Sequence, residues 1–468
     1  MQKFKMTVIG VFFLLIIIPM ILFNWEENYI SEMDNRELMN NPFGPNYIRT
    51  EDSDLTYDIE TYVQDRIGLR IEMVYAYTVL NDILFDEMVS TLYTEGKDGY
   101  VFSNMSPNIK FNSYHITFAD MIEEIQNYCE ERNVPFVFVF DPSKTTVLQE
   151  YLPEGVNYDA SWVDRFMDEL DKRNINYVNN TTILKEKVDA GENVFNKKFD
   201  ANHWNDLGAF YGVNNILENL QAFYSSLRLN EKSEFEITRE LNTMLLQSMY
   251  PINEYSPCFV LKNSEAIEDI TEVYSDEVEL DPDYRHFQYT VNEAAKENGS
   301  PKTLVFQGSY MNGKGTKFLQ NSLGEYIAVH DYQNVINFDY YFNLFQPDCV
   351  VFEVAEYTLK EQYFDSTRMS QMRLNPTLSS FKGAKTEDRE LSSLEIETEE
   401  GAAIEKVIVK GLDDNLDYAY IEIDGNIYDL KKSETEDCYE VSIEAEREGD
   451  INSVITLGND GTKYIYIP

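Results

Sequence analysis

The sequence predicts an α/β protein whose main body is a parallel β-sheet with helices on both faces. A membrane-spanning helix is expected before it and a small antiparallel β-sandwich after it. Three observations carry this reading. Continuous apolar runs at Val134–Phe140, Thr303–Phe306 and Asp348–Val354 have the pattern of strands buried on both faces of a parallel sheet. Segments of helical period lie between them, which is the alternation of β-α-β units. Near residue 385 the texture changes to short alternating stretches separated by turn signals.

Taken in order, Met6–Phe23 is an almost uninterrupted apolar run of 18 residues, about long enough to span a bilayer as a helix. Lys3 and Lys5 precede it, and Glu26, Glu27, Glu32 and Asp34 follow it. This places the N-terminus inside and the rest of the chain outside the membrane. Asn24, Trp25, Glu26 and Glu27 stand where a cleaved signal peptide would carry its small-x-small site, which favours an uncleaved anchor. Residues 1–25 thus read as stub and anchor, 26–384 as the main domain and 385–468 as the β-sandwich. After a polar, turn-rich stretch, residues 55 to 86 show helical spacing, with Asp65, Arg66 and Arg70 as a surface salt-bridge cluster. Glu95–Phe102 reads as a hairpin about a Lys-Asp-Gly turn. Helices are expected at 116–132, 160–173, 180–189 and 207–223, with a short strand near 175–178. A polar insert, about 226–282, follows, with strand-like pieces such as Pro257–Leu261. Beyond it come a helix near 290–297, a helix at 313–322 and a strand near 326–329. In the terminal region Lys406–Lys410, Tyr418–Asp424, Tyr439–Ile443, Val454–Leu457 and Lys463–Ile467 alternate as strands.

Composition bounds the function. The formal net charge is −45, which argues against nucleic acid as a partner, because phosphate contacts need clustered Lys and Arg. Aromatic residues make up 14% of the chain, against wholesale disorder. Cys129, Cys258, Cys349 and Cys438 are dispersed and read mostly as buried free thiols. Four scattered histidines complete no metal-ligand spacing.

The chemistry-bearing stretch is F199-D-A-N-H-W-N-D-L-G-A209. Asp200, three residues before His203, can hold the imidazole in one tautomer and stabilise its cation. Such a pair needs a nucleophile from elsewhere. Ser309 is the candidate: it follows Gly308 directly after the buried strand 303–306, a turn that exposes a hydroxyl to a base. Backbone N–H groups near Ser309 and Tyr310 are the expected oxyanion donors, with Asn312 and Lys144 as possible polar neighbours. Trp204 has two readings, a ring stacked on a sugar or a core aromatic locking the histidine loop.

In this order the pieces resemble the SGNH-hydrolase-like proteins of the AlgX/AlgJ and DHHW type, over about residues 30 to 360. D34-N-R-E-L with Pro42 resembles the family's opening Glu-Asn-Arg-x-Leu…Pro. Y62-V-Q-D-R-I-G-L-R70 resembles its Tyr-x-x-Asp-Arg-x-x-x-Arg helix, and E95-G-K-D-G-Y-V-F its Gly-Lys-Asp-Gly-Trp-Leu-Phe hairpin. D141-P-S-K-T resembles its Pro-x-Lys strand end, and D200-A-N-H-W-N-D-L-G-A its Asp-x-His-Trp-x-x-x-Gly-Ala signature. Q307-G-S-Y stands where the family has Gly-Asp-Ser-Phe or Gly-Asp-Ser-Tyr. The resemblance implies an SGNH-like, flavodoxin-like sheet and a triad of Ser309 as nucleophile, His203 as base and Asp200 as orienting carboxylate. It implies an extracytoplasmic O-acetyltransferase that modifies a polysaccharide, uses no cofactor, and is supplied by a membrane-bound O-acyltransferase. Two departures stand out. Gly308 replaces the family's Asp, and the Asp-to-His spacing is three rather than two, which leaves Asp200 or Asn202 to meet the ring. A carbohydrate esterase with the same triad, or an inactive glycan-binding scaffold, are the other functions the pattern allows.

Overall fold

The computed structural model describes residues 2–31, 36–45, 47, 54–85, 88–90, 92–104, 109–156, 158–245, 248, 250–413, 416–433, 436–445 and 449–468. Helix α1 (Gln2–Ile21) covers the apolar run. Its window Phe4–Ile21, of mean hydropathy 2.5, is long and apolar enough to cross a membrane. Glu32 and Asp34, read above as flanking acids, and with them the start of the D34-N-R-E-L motif, lie outside the described residues.

The helical spacing of 55–86 resolves into α2 (Leu55–Arg66) and α3 (Arg70–Phe85). Leu69, in the left-handed region at φ 60°, stands between them and turns the chain. Asp65 and Arg66 are not the surface cluster expected. Both are buried. Asp65 accepts from both terminal nitrogens of Arg36 (3.0 and 2.7 Å) and from the Met39 N–H (3.0 Å). The Arg66 guanidinium donates to the carbonyls of Met39, Leu38 and Glu26. The pair fastens the lead-in segment to α2, where a buried charge is satisfied by hydrogen bonds.

The hairpin β1 (Tyr93–Glu95) and β2 (Val101–Ser103) closes on a short 3₁₀ turn. Then follow α4 (Ser113–Glu131), β3 (Phe136–Asp141), α5 (Ser161–Lys172), β4 (Tyr177–Asn179), α6 (Thr181–Asp189) and α7 (Asp206–Leu220). The polar insert holds a long antiparallel hairpin, β5 (Phe235–Met244) and β6 (Pro251–Leu261), and a short strand β7 (Ile267–Asp269). The stretch expected as a helix near 290 opens as strand β8 (Phe287–Asn292), with one short helix, Glu293–Glu297, after it. β9 (Lys302–Gln307), α8 (Thr316–Ser322), β10 (Glu325–His330), α9 (Phe338–Phe345) and β11 (Cys349–Ala355) complete the body.

Seven strands form the main sheet in the order β4-β3-β11-β9-β10-β8-β7. The first five are mutually parallel, and β8 and β7 add antiparallel strands at one edge. Alternation sorts the two faces. Phe136, Phe138, Phe140, Leu304 and Phe306 enter one core with α4, α5 and α9. Val137, Val139 and Val305 enter the other with α6, α7 and α8. The parallel sheet covered on both faces is the architecture expected. Because β3, β9, β10 and β11 run parallel, the loops after Asp141, Gln307, His330 and Ala355 gather at one edge, where open α/β sheets carry their sites.

The terminal region has eight strands: β12 (Lys385–Glu390), β13 (Glu395–Glu400), β14 (Ile404–Lys410), β15 (Leu416–Ile423), β16 (Asn426–Lys432), β17 (Tyr439–Glu444), β18 (Ile451–Gly458) and β19 (Thr462–Ile467). They bond in the order β12-β19-β18-β15-β16-β17-β14-β13. All pairings are antiparallel except β12 with β19. β16 pairs with β15 over 426–430 and with β17 at 431–432, so it turns the corner between two halves. Val409, Ile421, Tyr428, Ile443, Val454 and Tyr466 from both halves share one core. Cys129, Cys258, Cys349 and Cys438 are free thiols, all but Cys258 buried.

Candidate active site

The loop before α7 is shaped by its own sequence. Asn205 caps α7, accepting from the N–H groups of Leu207 (3.0 Å) and Gly208 (3.1 Å), as N-cap residues do. Asp200 adopts φ 51°, a left-handed conformation that Asp tolerates. That turn folds its carboxylate back over the loop. Its Oδ1 accepts from the backbone N–H of His203 at 3.2 Å and lies 2.7 Å from His203 Nδ1. Asp200, not Asn202, therefore meets the ring despite the longer spacing.

His203 Nε2 lies 2.8 Å from Ser309 Oγ. With Nδ1–H donating to Asp200, Nε2 is left to accept from the serine hydroxyl. Burial pushes the Asp200 carboxyl up, but the charge of His203 and its hydrogen bonds bring it below its ordinary value. Ser309 leaves the sheet directly after β9 and Gly308 and starts a helix that passes through one π-helical turn (Met311–Gly315) into α8. The first-turn N–H groups of such a helix have no intrahelical acceptor and point outward at its positive end.

Tyr310 and the histidine loop are latched in both directions. Tyr310 OH donates to the carbonyls of Asn202 (2.8 Å) and Pro142 (3.0 Å), and Trp204 Nε1–H donates to the Tyr310 carbonyl (3.1 Å). Trp204 is fully buried. It cannot stack on a sugar, which decides for the core reading. α7 makes room for it: a Cβ on Gly212 would lie 2.3 Å from Trp204 Cζ3, and one on Gly208 2.8 Å from its Cβ.

Lys144 is also fully buried, so it is not a group a substrate meets. Its ammonium donates to the carbonyls of Val101 (2.8 Å) and Lys197 (3.1 Å), joining β2 to the segment before the histidine loop. Burial lowers its pKa to about 7. Glu254, from the insert hairpin, accepts from the N–H groups of Lys198 (2.8 Å) and Phe199 (2.6 Å) and holds the same segment from the other side. Asn312 lies on the first turn after Ser309, its N–H bonded to the Gly308 carbonyl (3.1 Å) and its amide oxygen accepting from Gln307.

One residue the sequence reading missed stands at the centre. Tyr357, on the 3₁₀ turn after β11, brings its hydroxyl to 2.7 Å from Ser309 Oγ and 3.5 Å from His203 Nε2. Burial pushes its pKa well up, so it is a neutral donor. The only local signal was its place just beyond a buried strand. Behind the serine lie buried carboxyls. Glu353 Oε2 accepts from the Gly308 N–H (2.8 Å) and Asp141 Oδ1 from Asn180 Nδ2 (2.6 Å). Their other oxygens, Glu353 Oε1 and Asp141 Oδ2, have no donor beyond each other. Burial first, then the charges of Asp141 and Asp331, raises Glu353 well above its ordinary value, and burial raises Asp141 to about 7. A Cβ at Gly308 would meet the buried Asp331 carboxylate at 3.4 Å. An Asp there would set two carboxylates side by side, which accounts for the glycine.

Residues 94–252 match the family model described as SGNH hydrolase-like domain, acetyltransferase AlgX. Over that segment the chain is similar to the AlgX-type SGNH-hydrolase-like domain. Similar solved structures include Bacillus cereus PatB1 with a sulfonyl adduct (18% identity, TM-score 0.47, covering 60% of this chain and 98% of that one). The O-acetyltransferase domain of Pseudomonas putida AlgJ is 14% identical (TM-score 0.41, 60% and 99%). Pseudomonas aeruginosa AlgX is 14% identical (TM-score 0.37, 77% and 88%). No curated protein sequence matches.

Proposed function

We propose that this protein is a membrane-anchored, extracytoplasmic O-acetyltransferase that modifies a polysaccharide through an acyl-serine intermediate. The observation that carries the reading is the unbroken hydrogen-bonded path Asp200–His203–Ser309 at 2.7 and 2.8 Å. His203 Nε2 takes the proton of Ser309 Oγ as that oxygen attacks the acyl carbonyl. The oxyanion so formed faces the first-turn N–H groups of the helix beginning at Ser309, and each such donor lowers the barrier by roughly 3–4 kcal/mol. His203 then protonates the leaving group, and the acyl group remains on Ser309. A sugar hydroxyl loses its proton to His203, attacks the ester carbonyl, and Ser309 Oγ recovers the proton as the acetylated sugar departs. A membrane-bound O-acyltransferase is the acyl source in this reading, and α1 holds the chain in the same bilayer with its N-terminus inside.

The test is acetyl transfer by the full-length protein in detergent. A chromogenic acetyl ester is supplied with and without an oligosaccharide, and the acetyl-enzyme is followed by intact mass. We expect an adduct of one acetyl group that is lost in Ser309→Ala, fails to form in His203→Ala, and passes to the oligosaccharide. Turnover indifferent to the oligosaccharide would instead make the protein an esterase. A folded protein that neither turns over nor forms the adduct would overturn the catalytic reading.

A further inference from the structure

Helix α3 carries an apolar surface that nothing among the described residues covers. Of its 16 residues only Thr78 is buried. Met73, Tyr77, Leu80 and Leu84, at spacings of four, three and four, form one stripe along the helix, and they are 42, 58, 55 and 65% exposed. Ile83, 72% exposed, widens the stripe. Asp82 and Thr78 lie on the other side of the helix. Asp82 accepts from the Tyr250 hydroxyl at 2.7 Å, so this side, which also carries the partly exposed Ile71 and Tyr75, is fastened to the body and the Met73–Leu84 stripe is turned away from it.

The joint at the start of α3 tells what this stripe faces. The α2–α3 turn is clamped to the end of α1: the Gly68 N–H donates to the Pro19 carbonyl (3.0 Å) and the Asn24 N–H to the Arg66 carbonyl (2.8 Å). The fit leaves no room for a side chain, since a Cβ on Gly68 would lie 2.4 Å from the Leu22 carbonyl oxygen. Trp25, 70% exposed, stands beside the joint with its ring 4.7 Å from that of Phe23. Aromatic residues of this kind favour the level of the lipid headgroups. An exposed apolar stripe about 18 Å long therefore begins close to where the apolar helix α1 ends.

We propose that α3 is a second membrane-contacting element, lying in the outer leaflet of the bilayer with its Met73–Leu84 stripe among the acyl chains. The proposal rests on the reading of α1 as an anchor. With α1 it gives the ectodomain two attachments, which fix its orientation rather than leaving it to swing on a tether. A net charge of −45 gives no attraction to anionic lipid, so apolar insertion carries the contact.

Tryptophan quenching by lipid tests this on the full-length protein in nanodiscs of zwitterionic phosphatidylcholine. Trp25→Phe removes the exposed tryptophan and leaves Trp162 and Trp204, both buried, as background. Leu80→Trp or Leu84→Trp is then added, and phosphatidylcholine brominated on its acyl chains replaces the ordinary lipid. The added fluorescence is expected to fall at least twofold. Phe12→Trp, inside α1, reports the anchor independently. Quenching at Phe12→Trp with none at Leu80→Trp or Leu84→Trp would overturn the proposal alone and assign the stripe to a protein partner. An absence of quenching at all three would overturn the anchor and the proposal together.

Discussion

At the scale of the residue, the candidate site is three side chains that the motifs pointed to and one that they did not. Asp200 and His203 share a loop and Ser309 follows a strand, so each carried a local signature. Tyr357 reaches Ser309 only because β9 and β11 are neighbours in the sheet, and no sequence spacing encodes that. Lys144 and Trp204 show the opposite error: their motifs were real, but both are buried supports rather than surfaces for substrate. With Ser309 donating to His203, the Tyr357 hydroxyl is the donor toward Ser309 Oγ, and it lies within reach of charge that develops there. Tyr357→Phe keeps the ring and removes that donor. We expect kcat for acetyl-enzyme formation to fall about 10²-fold, the loss typical of one such donor, with the circular dichroism unchanged. An unaltered kcat would confine Tyr357 to packing.

At the scale of the element, three strand ends are tied behind Ser309. Glu353 on β11 holds the Gly308 N–H beyond β9 and interacts with the Asp141 carboxyl at the end of β3. Both carboxyls are raised by burial, so the folded state holds a proton that the unfolded chain releases near pH 4. The stability this contributes is full below that pH and is lost as pH rises through the raised folded value. Glu353→Gln keeps an oxygen for Gly308 and supplies a permanent donor to Asp141. The melting temperature of Glu353→Gln relative to the parent protein is therefore expected to rise steadily with pH above about 4. A pH-independent difference, read by calorimetry across that range, would show that the pair holds no proton. The strands themselves were legible because β3, β9 and β11 are apolar throughout, as double-sided burial requires. β5 was not, because nearly all of its residues are exposed and Arg239 interrupts the face that carries Phe235, Ile237 and Leu241. β8 was misread because its last residue, Asn292, is itself the N-cap of the short helix that follows, so no loop separates the two elements.

At the scale of the whole molecule, the change of texture near residue 385 marked the terminal strands, whereas their attachment to the body left no trace in the sequence. It is made by long-range polar contacts. Glu277 accepts from the N–H groups of Ala402, Ala403 and Ile404 (2.7–3.0 Å), and Lys302 meets Glu444 at 3.0 Å. The central tie is Asp429 on β16. It accepts from Tyr128 OH at 2.6 Å and from Arg132 Nη2 at 3.1 Å, while its N–H donates to Asn343 Oδ1 at 2.9 Å. Burial lifts the Asp429 carboxyl to about 6 against the opposing charge of Arg132, so its ionised form is held at a desolvation cost. Asp429→Ala leaves the Tyr128 hydroxyl without its acceptor and the mostly buried Arg132 without a counter-charge, bonded only to the carbonyls of Tyr128 and Asn375. Removing one partner of such a pair costs about 3–5 kcal/mol. Because the terminal sheet has a core of its own, the loss is expected to fall on the joint. The terminal strands should then melt in a separate, earlier calorimetric transition, and protease should cut within 376–384 before the body unfolds. Asp429→Asn keeps an acceptor oxygen for both donors without the buried charge, and it should cost clearly less than Asp429→Ala. Equal losses in the two variants, or a single transition for Asp429→Ala at the parent temperature, would mean that Glu277 and Glu444 hold the joint without Asp429.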